Sequence, residues 1–190
     1  MAIYFQLYIF HLTDTELINL NQDFNNTLDI WVDALDRYGW RELLTAPSPK
    51  GWSLGQVYVH IILETTFYLK QMMICASGET FATESMSDEG KKMFRNNAFP
   101  DAILEGPPSN DDVAQPESKE YLRGRLIDLK TEAGRLTGML QTGHSHGKTK
   151  HPGLNYLSGR EWLQFADMHL RHHFRQKSRI DSFLKAHRPD

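Results

Sequence analysis

Only one cysteine, Cys75, occurs in the 190 residues, so no disulfide can form within the chain and a cysteine-rich zinc site is excluded. That usage predicts a reducing, cytoplasmic setting. An excess of either charge is lacking too: 21 Lys and Arg against 24 Asp and Glu give a formal net charge of −3, which marks neither nucleic acid nor anionic lipid as a main partner. Long apolar runs are also missing. The most apolar stretch, 54–76, is interrupted by His60, Glu64, Lys70 and glutamines, side chains that a lipid-facing helix does not carry at such positions. Residues 1–12 are apolar and aromatic, but no basic leader or small-residue cleavage site accompanies them, so they do not read as a secretion signal. No membrane span is expected. With 13 glycines and 8 prolines the chain is neither collagenous nor low-complexity. A hydrophobic share of 40% suits an ordinary globular protein. At this length about 70% of the unfolded surface can be buried without covalent staples, so a single domain over 1–190 is expected.

What is present is helical periodicity in four segments. The first opens on Thr13 and Glu16 as a capping box and continues through Leu17, Leu20, Phe24, Leu28, Trp31 and Leu35 at steps of three and four. The second opens at Ser53 with Gln56 as its box partner. Its apolar residues (Val57, Ile61, Ile62, Phe67, Leu69, Met72, Ile74) lie almost all round the axis, which predicts a central helix or half of a dimer interface. The third follows Pro116 and Ser118 with a stripe of Leu122, Leu126, Leu129, Ala133, Leu136 and Leu140, weakened by Gly124, Gly134 and Gly138. The fourth has Ser158 and Glu161 as a capping box and carries Trp162, Phe165, Ala166, Ile180, Phe183 and Leu184 on one face. Between the second and third helices lie about forty residues, 77–117, with a short helix expected only around 88–94. A connection of that length can return along the whole bundle. Apart from the N-terminal arm no stretch alternates as a strand. The expected architecture is all-α, a four-helix bundle with a long crossover between helices 2 and 3.

Candidate chemistry sits on the fourth helix. At 100° per residue, His173 falls about 40° from His169, alongside Trp162 and Ile180, while Asp167 and Arg171 fall on the far side, about 160° away. Imidazoles therefore stand where leucines belong, and Asp167 and Arg171 are expected to face water. Buried unpaired polar groups cost about 1–3 kcal/mol each, and one partner that serves both rings is a divalent metal, since the i, i+4 spacing lets two imidazoles reach one ion. Hydrogen bonding to backbone carbonyls or core carboxylates is the other explanation. His60, on a face of the second helix shared with Val57, Phe67 and Ile74, is a candidate third ligand. Glu64, one turn further, is a candidate fourth ligand, hydrogen-bond acceptor for His60 or general base. It could equally pair with an imidazole in the absence of any metal. Cys75 lies about 22 Å beyond His60 along the axis, too far to share an ion, and reads as a core thiol.

Rival motifs fail on particular residues. Leu170 stands where a zincin motif needs glutamate after its first histidine, and no Glu-x-x-His pair exists for a ferritin-like di-iron site. The loop carrying His144, His146 and His151 reads as solvated, with His151 shaping the turn into the fourth helix or rimming the site. Seven Lys or Arg residues against three acids over 160–188 form a basic strip. Cations near a helix C-terminus are favoured in any case, so nucleic-acid binding is not expected.

Trp52-Ser53 followed by His60, a His151-Pro152 turn, the Ser158 to Glu161-Trp162 helix start, and His169, His172, His173 and Gln176 together resemble the DinB-like (YfiT-like) family of metal-dependent proteins. The resemblance covers the second and fourth helices, and the remainder by length and layout. It implies an up-down-down-up four-helix bundle, often dimeric, in which His60, His169 and His173 bind one divalent ion. Zinc or nickel is expected first, with iron or manganese also accepting imidazole. It further implies metal-dependent enzyme activity of a hydrolase or low-molecular-weight-thiol S-transferase type, without naming a substrate. A non-catalytic dimeric helical protein whose histidines are core hydrogen-bonding residues is the competing expectation, and a homodimer fits both.

Overall fold

The computed structural model describes residues 2–78, 80–101, 113–143 and 147–187, with side chains from Thr15 onward. Within these, the chain is predominantly helical: α1 (Ala2–Leu35), α2 (Trp40–Leu44), α3 (Leu54–Ser77), α4 (Asp88–Asn96), α5 (Lys119–Thr142), a hairpin of β1 (Lys148–His151) and β2 (Asn155–Ser158), and α6 (Gly159–Ala186).

Two of the expected helix starts are built as capping boxes. Ser53 Oγ accepts from the Gln56 amide at 3.2 Å while Gln56 Oε1 accepts from the Ser53 amide at 3.0 Å. At α6 the Ser158 hydroxyl accepts from the Glu161 amide at 3.3 Å and the Glu161 carboxylate accepts from the Ser158 amide at 2.7 Å. Each satisfies amides that an uncapped helix leaves exposed. The first helix differs from expectation. It does not begin at the Thr13 box but runs from Ala2, because no glycine or proline precedes Gly39 and extending an existing helix is far easier than nucleating one. The N-terminal arm is thus helical backbone, not a strand. The short helix expected around 88–94 is α4, capped by Ser87 Oγ, which accepts from the Gly90 amide at 3.2 Å.

The core draws on all four long helices, with Trp31, Tyr58, Leu126 and Trp162 all fully buried. α1 packs on α5 and α6, and α3 packs on the same two. Ion pairs tie α1 and the turn that ends it to neighbouring helices: Asp36, just past α1, to Arg123 at 2.5 Å, Asp29 to Lys130, and Glu16 to Arg160 at 2.7 Å. Tyr58 donates to the Trp31 carbonyl at 2.8 Å, and the Trp31 indole donates to the Leu170 carbonyl at 3.3 Å. These contacts lock α1, α3 and α6 together at the level of the histidines. The start of α3 meets the entry to α5 so closely that a Cβ on Gly55 would lie 2.9 Å from both the Leu43 carbonyl and the Pro116 ring.

Several local expectations are corrected. Asp167 is 2% exposed and does not face water; it accepts from Thr27 Oγ1 at 2.6 Å and from Arg171 Nε at 2.9 Å. The middle of α6 is covered on more sides than a two-faced helix, and a buried carboxylate is tolerated there because both partners reach it. Phe67 and Ile74 do not share the buried face of His60: they are 44% and 42% exposed. The hairpin and α2 carry no periodic signal because each has five residues or fewer per element. β1 and β2 pair antiparallel, Lys148 opposite Ser158 and His151 opposite Asn155, and Thr149 Oγ1 accepts from the Trp162 indole at 2.7 Å, pinning the hairpin to α6. Cys75 is a buried core thiol donating to the Leu157 carbonyl at 3.6 Å. Among the described residues no helix is long and apolar enough to cross a membrane.

Candidate metal centre

The Ser53 cap fixes where α3 begins and so places His60 on the inner side of its second turn, while the Ser158 cap does the same for His169 and His173 on α6. The three rings are 6%, 7% and 9% exposed. His60 lies 5.2 Å from His169 and 4.7 Å from His173 between ring centroids, and the α6 pair are 4.6 Å apart. One nitrogen from each ring can be chosen so that all three lie within 4.8 Å of one another. Helix periodicity could orient His169 and His173 but not bring His60 to them. Packing of α3 on α6 does that.

The hydrogen bonds around the rings constrain their protons. His173 Nδ1 lies 3.0 Å from Gln176 Oε1, an oxygen that can only accept, so Nδ1 carries the proton and Nε2 presents a lone pair. That Nε2 lies 3.1 Å from His169 Nε2. Two lone pairs facing each other at that separation repel, so the gap must be filled by a proton on His169 or by a cation bound to both. His169 Nδ1 is buried with no hydrogen-bond partner among the described residues. The donor set of three neutral imidazoles fits a divalent transition ion, which takes nitrogen ligands at about 2.0–2.1 Å in the case of zinc.

Electrostatics favour the neutral ligands that metals need. Burial, then the neighbouring His172, depresses His60 to about 4. Burial and the facing His60 depress His173 to about 3, against the opposing Gln176 hydrogen bond. His169, wholly enclosed and beside both other rings, is pushed well below the usual histidine range.

Aromatic rings surround the cluster. Trp52 lies 5.0 Å from His60, Tyr68 5.4 Å and Phe99 6.0 Å from His169. Glu64 lies outside the three-imidazole cluster, and its Oε2 accepts from the Tyr68 hydroxyl at 2.9 Å. His172 is half-buried, 5.4 Å from His173 and 5.0 Å from Phe99. Tyr68 and Phe99 were not singled out from sequence. Tyr68 stands eight residues from His60, two turns along and about 80° round the axis, so helix periodicity alone does not put it beside the cluster; Phe99 sits in the long connection, where no periodicity marks it.

Of the loop histidines, His144 and His146 lie outside the described residues. His151 packs on Phe165 and Trp162 at 4.8 and 5.5 Å and accepts from the Gly153 amide at 3.0 Å, so it shapes the hairpin turn. The basic strip of α6 is largely paired: Arg160 with Glu16, Arg171 with Asp167, Arg175 with Asp101 and Lys177 with Asp181.

Fold and site define a predominantly helical protein with a buried three-imidazole centre between two helices. The family model described as the DinB superfamily matches residues 23–176, a span that holds all three histidines, and the chain belongs to that superfamily. No curated protein and no solved structure gives a significant match.

Proposed function

We propose that the protein is a divalent-metal-binding protein in which His60, His169 and His173 are the ligands, acting as a metal-dependent enzyme of hydrolase or low-molecular-weight-thiol transferase type. The observation that carries it is the convergence of three buried, neutral imidazoles whose nitrogens lie within 4.8 Å. Membership in the DinB superfamily is compatible with it. An ion held by three neutral imidazoles keeps its charge and an open coordination position, the setting for Lewis-acid chemistry. The chain's own residues hold the ligand rings in place: Gln176 sets the proton of His173, Trp52 and Tyr68 pack on His60 and His169, and burial keeps competing protons off all three. Zinc or nickel suits the donor set first, then iron or manganese.

The up-down-down-up bundle belongs to the same reading. Supporting it, contacts between α1 and α6 rise together in sequence (Glu16 with Arg160, Thr27 with Asp167, Trp31 with Leu170), whereas those between α1 and α5 run oppositely (Asp29 with Lys130, Asp36 with Arg123). A homodimer is supported by Leu63, Phe67 and Ile74, exposed apolar residues along α3, and sedimentation at micromolar concentration checks it.

Elemental analysis of protein purified without a histidine tag tests the central claim. The wild type is expected to hold one ion per chain and to lose thermal stability on chelation, and His60→Ala and His173→Ala to remain folded with little metal. Equal metal contents in all three folded proteins would remove the basis of the reading. Thiol-dependent turnover of a generic electrophile, compared with and without chelator, separates catalysis from ion binding alone.

A further inference from the structure

The segment following α4 passes beside the histidine cluster, with Phe99 against His169 and His172, and side chains of α6 hold it there. Its first residue, Asn97, adopts a left-handed conformation with φ of 47°, which turns the chain off α4 and back across α6. Three side chains of α6 then grip it. Gln164 donates to the Phe94 carbonyl and to Asn97 Oδ1, both at 3.2 Å. Arg171 donates to the Asn97 carbonyl at 2.9 Å and to Asn97 Oδ1 at 3.1 Å. Arg175 donates to the Phe99 and Pro100 carbonyls at 3.5 and 3.4 Å and pairs with Asp101 at 2.6 Å.

These polar contacts lie on the rim, and they place one apolar side chain inward. Phe99 sits 5.0 Å from His172, 5.2 Å from Phe165 and 6.0 Å from His169. We propose that residues 97–101 form a strap over the histidine centre, with Phe99 as its plug and Arg175 as its outer latch, and that its opening determines what reaches the rings. The inference rests on the metal reading for its purpose only, because the covering of the rings is independent of any ion. Arg175 is the informative latch to cut: its hydrogen bonds among the described residues all go to the strap. Arg171 also holds the buried Asp167, so its loss would disturb the fold. The latch is solvent-exposed, 43% at Arg175 and 94% at Asp101, which makes the closure a weak one that thermal motion opens.

The test reads accessibility on metal-free protein with diethyl pyrocarbonate, which acylates neutral imidazole. Exposed His187 serves as the internal reference. In Arg175→Ala and Phe99→Ala, His169 and His172 are expected to react at least tenfold faster relative to His187 than in the wild type, and Arg135→Ala, which loses only an exposed pair with Glu132 and a contact to Met139, is expected to leave the ratio unchanged. Unchanged ratios in both strap variants, or an equal rise in Arg135→Ala, overturn the strap. On zinc-loaded protein the same two variants are expected to release the ion to excess chelator at least tenfold faster, and release at the wild-type rate would also overturn it. A wild type that takes up none of zinc, nickel, iron and manganese sinks the proposed function, and the labelling result then decides the strap by itself.

Discussion

His173 and Gln176 face each other across one turn of α6, Nδ1 to Oε1 at 3.0 Å, and that single hydrogen bond decides which nitrogen of His173 points into the cluster with its lone pair. A ligand whose second nitrogen is held in this way is preorganised and more basic, and loss of such a partner typically costs ten- to a hundredfold in metal affinity. If the cluster binds zinc as proposed, Gln176→Leu is expected to weaken that binding about tenfold or more without changing the helical circular dichroism. Gln176→Glu keeps an acceptor at the same reach and is expected to restore most of the affinity. Competition with a chromophoric chelator measures both, and a Leu variant that binds like the wild type would remove Gln176 from the site.

The buried carboxylate of Asp167 has two partners, Thr27 at 2.6 Å and Arg171 at 2.9 Å. Arg171→Met leaves that charge with one hydrogen bond in a covered position, and unfolding stability is expected to fall by about 1–3 kcal/mol. Asp167→Asn in the same background lifts the uncompensated charge and is expected to recover part of the loss. Urea denaturation of the two variants and their combination forms the cycle that checks it.

Gly55 stands where α3 meets α2 and the entry to α5. An added methyl at 2.9 Å from a backbone carbonyl and a proline ring cannot be relieved by a side-chain rotation alone, so Gly55→Ala is expected to destabilise by about 1–3 kcal/mol. Gly124→Ala, on an open face of α5 with nothing within 4 Å of its added carbon, is expected to stabilise by about 1 kcal/mol. Thermal melting distinguishes the opposite signs.

Burial holds His151 at about 4 against an ordinary 6.5, so the native state keeps the ring neutral over an interval in which the unfolded chain takes up a proton. Where the unfolded state binds more protons, stability falls as pH falls. The contribution of His151 is thus complete above about pH 6.5 and is lost progressively toward pH 4. His151→Gln is expected to flatten the acid limb of the stability curve by roughly 1–2 kcal/mol at pH 4, discounted for the solvent the ring retains. Stability measured in urea at a series of pH values, on metal-free protein, would contradict this if wild type and variant ran parallel from pH 7 to 4.

Much of the frame is legible in the chain itself. The Ser53 and Ser158 capping boxes, the Leu122 to Leu136 stripe and the His169-His173 spacing are local patterns. A helix start and a helix face depend on residues three or four positions apart, and the structure keeps them. Belonging to the DinB superfamily was visible in Trp52, His60, the histidines of α6 and Gln176.

Contacts made across the fold could not be read that way. Asp167 lies on the outward side of a helix wheel, and only the approach of Thr27 on α1 together with the fold of Arg171 over it turns that side into an interior. Phe99 belongs to a stretch without periodicity, and it reaches the centre because Gln164, Arg171 and Arg175 on another element grip the backbone around it. The meeting of His60 with His169 and His173 is of the same kind. Each ring's direction follows from its own helix, but their separation is set by the packing of α3 against α6. Local sequence therefore determined the long helices and which way most of their side chains point, while tertiary packing alone decided which of them meet, because nothing within one helix specifies its distance to the next.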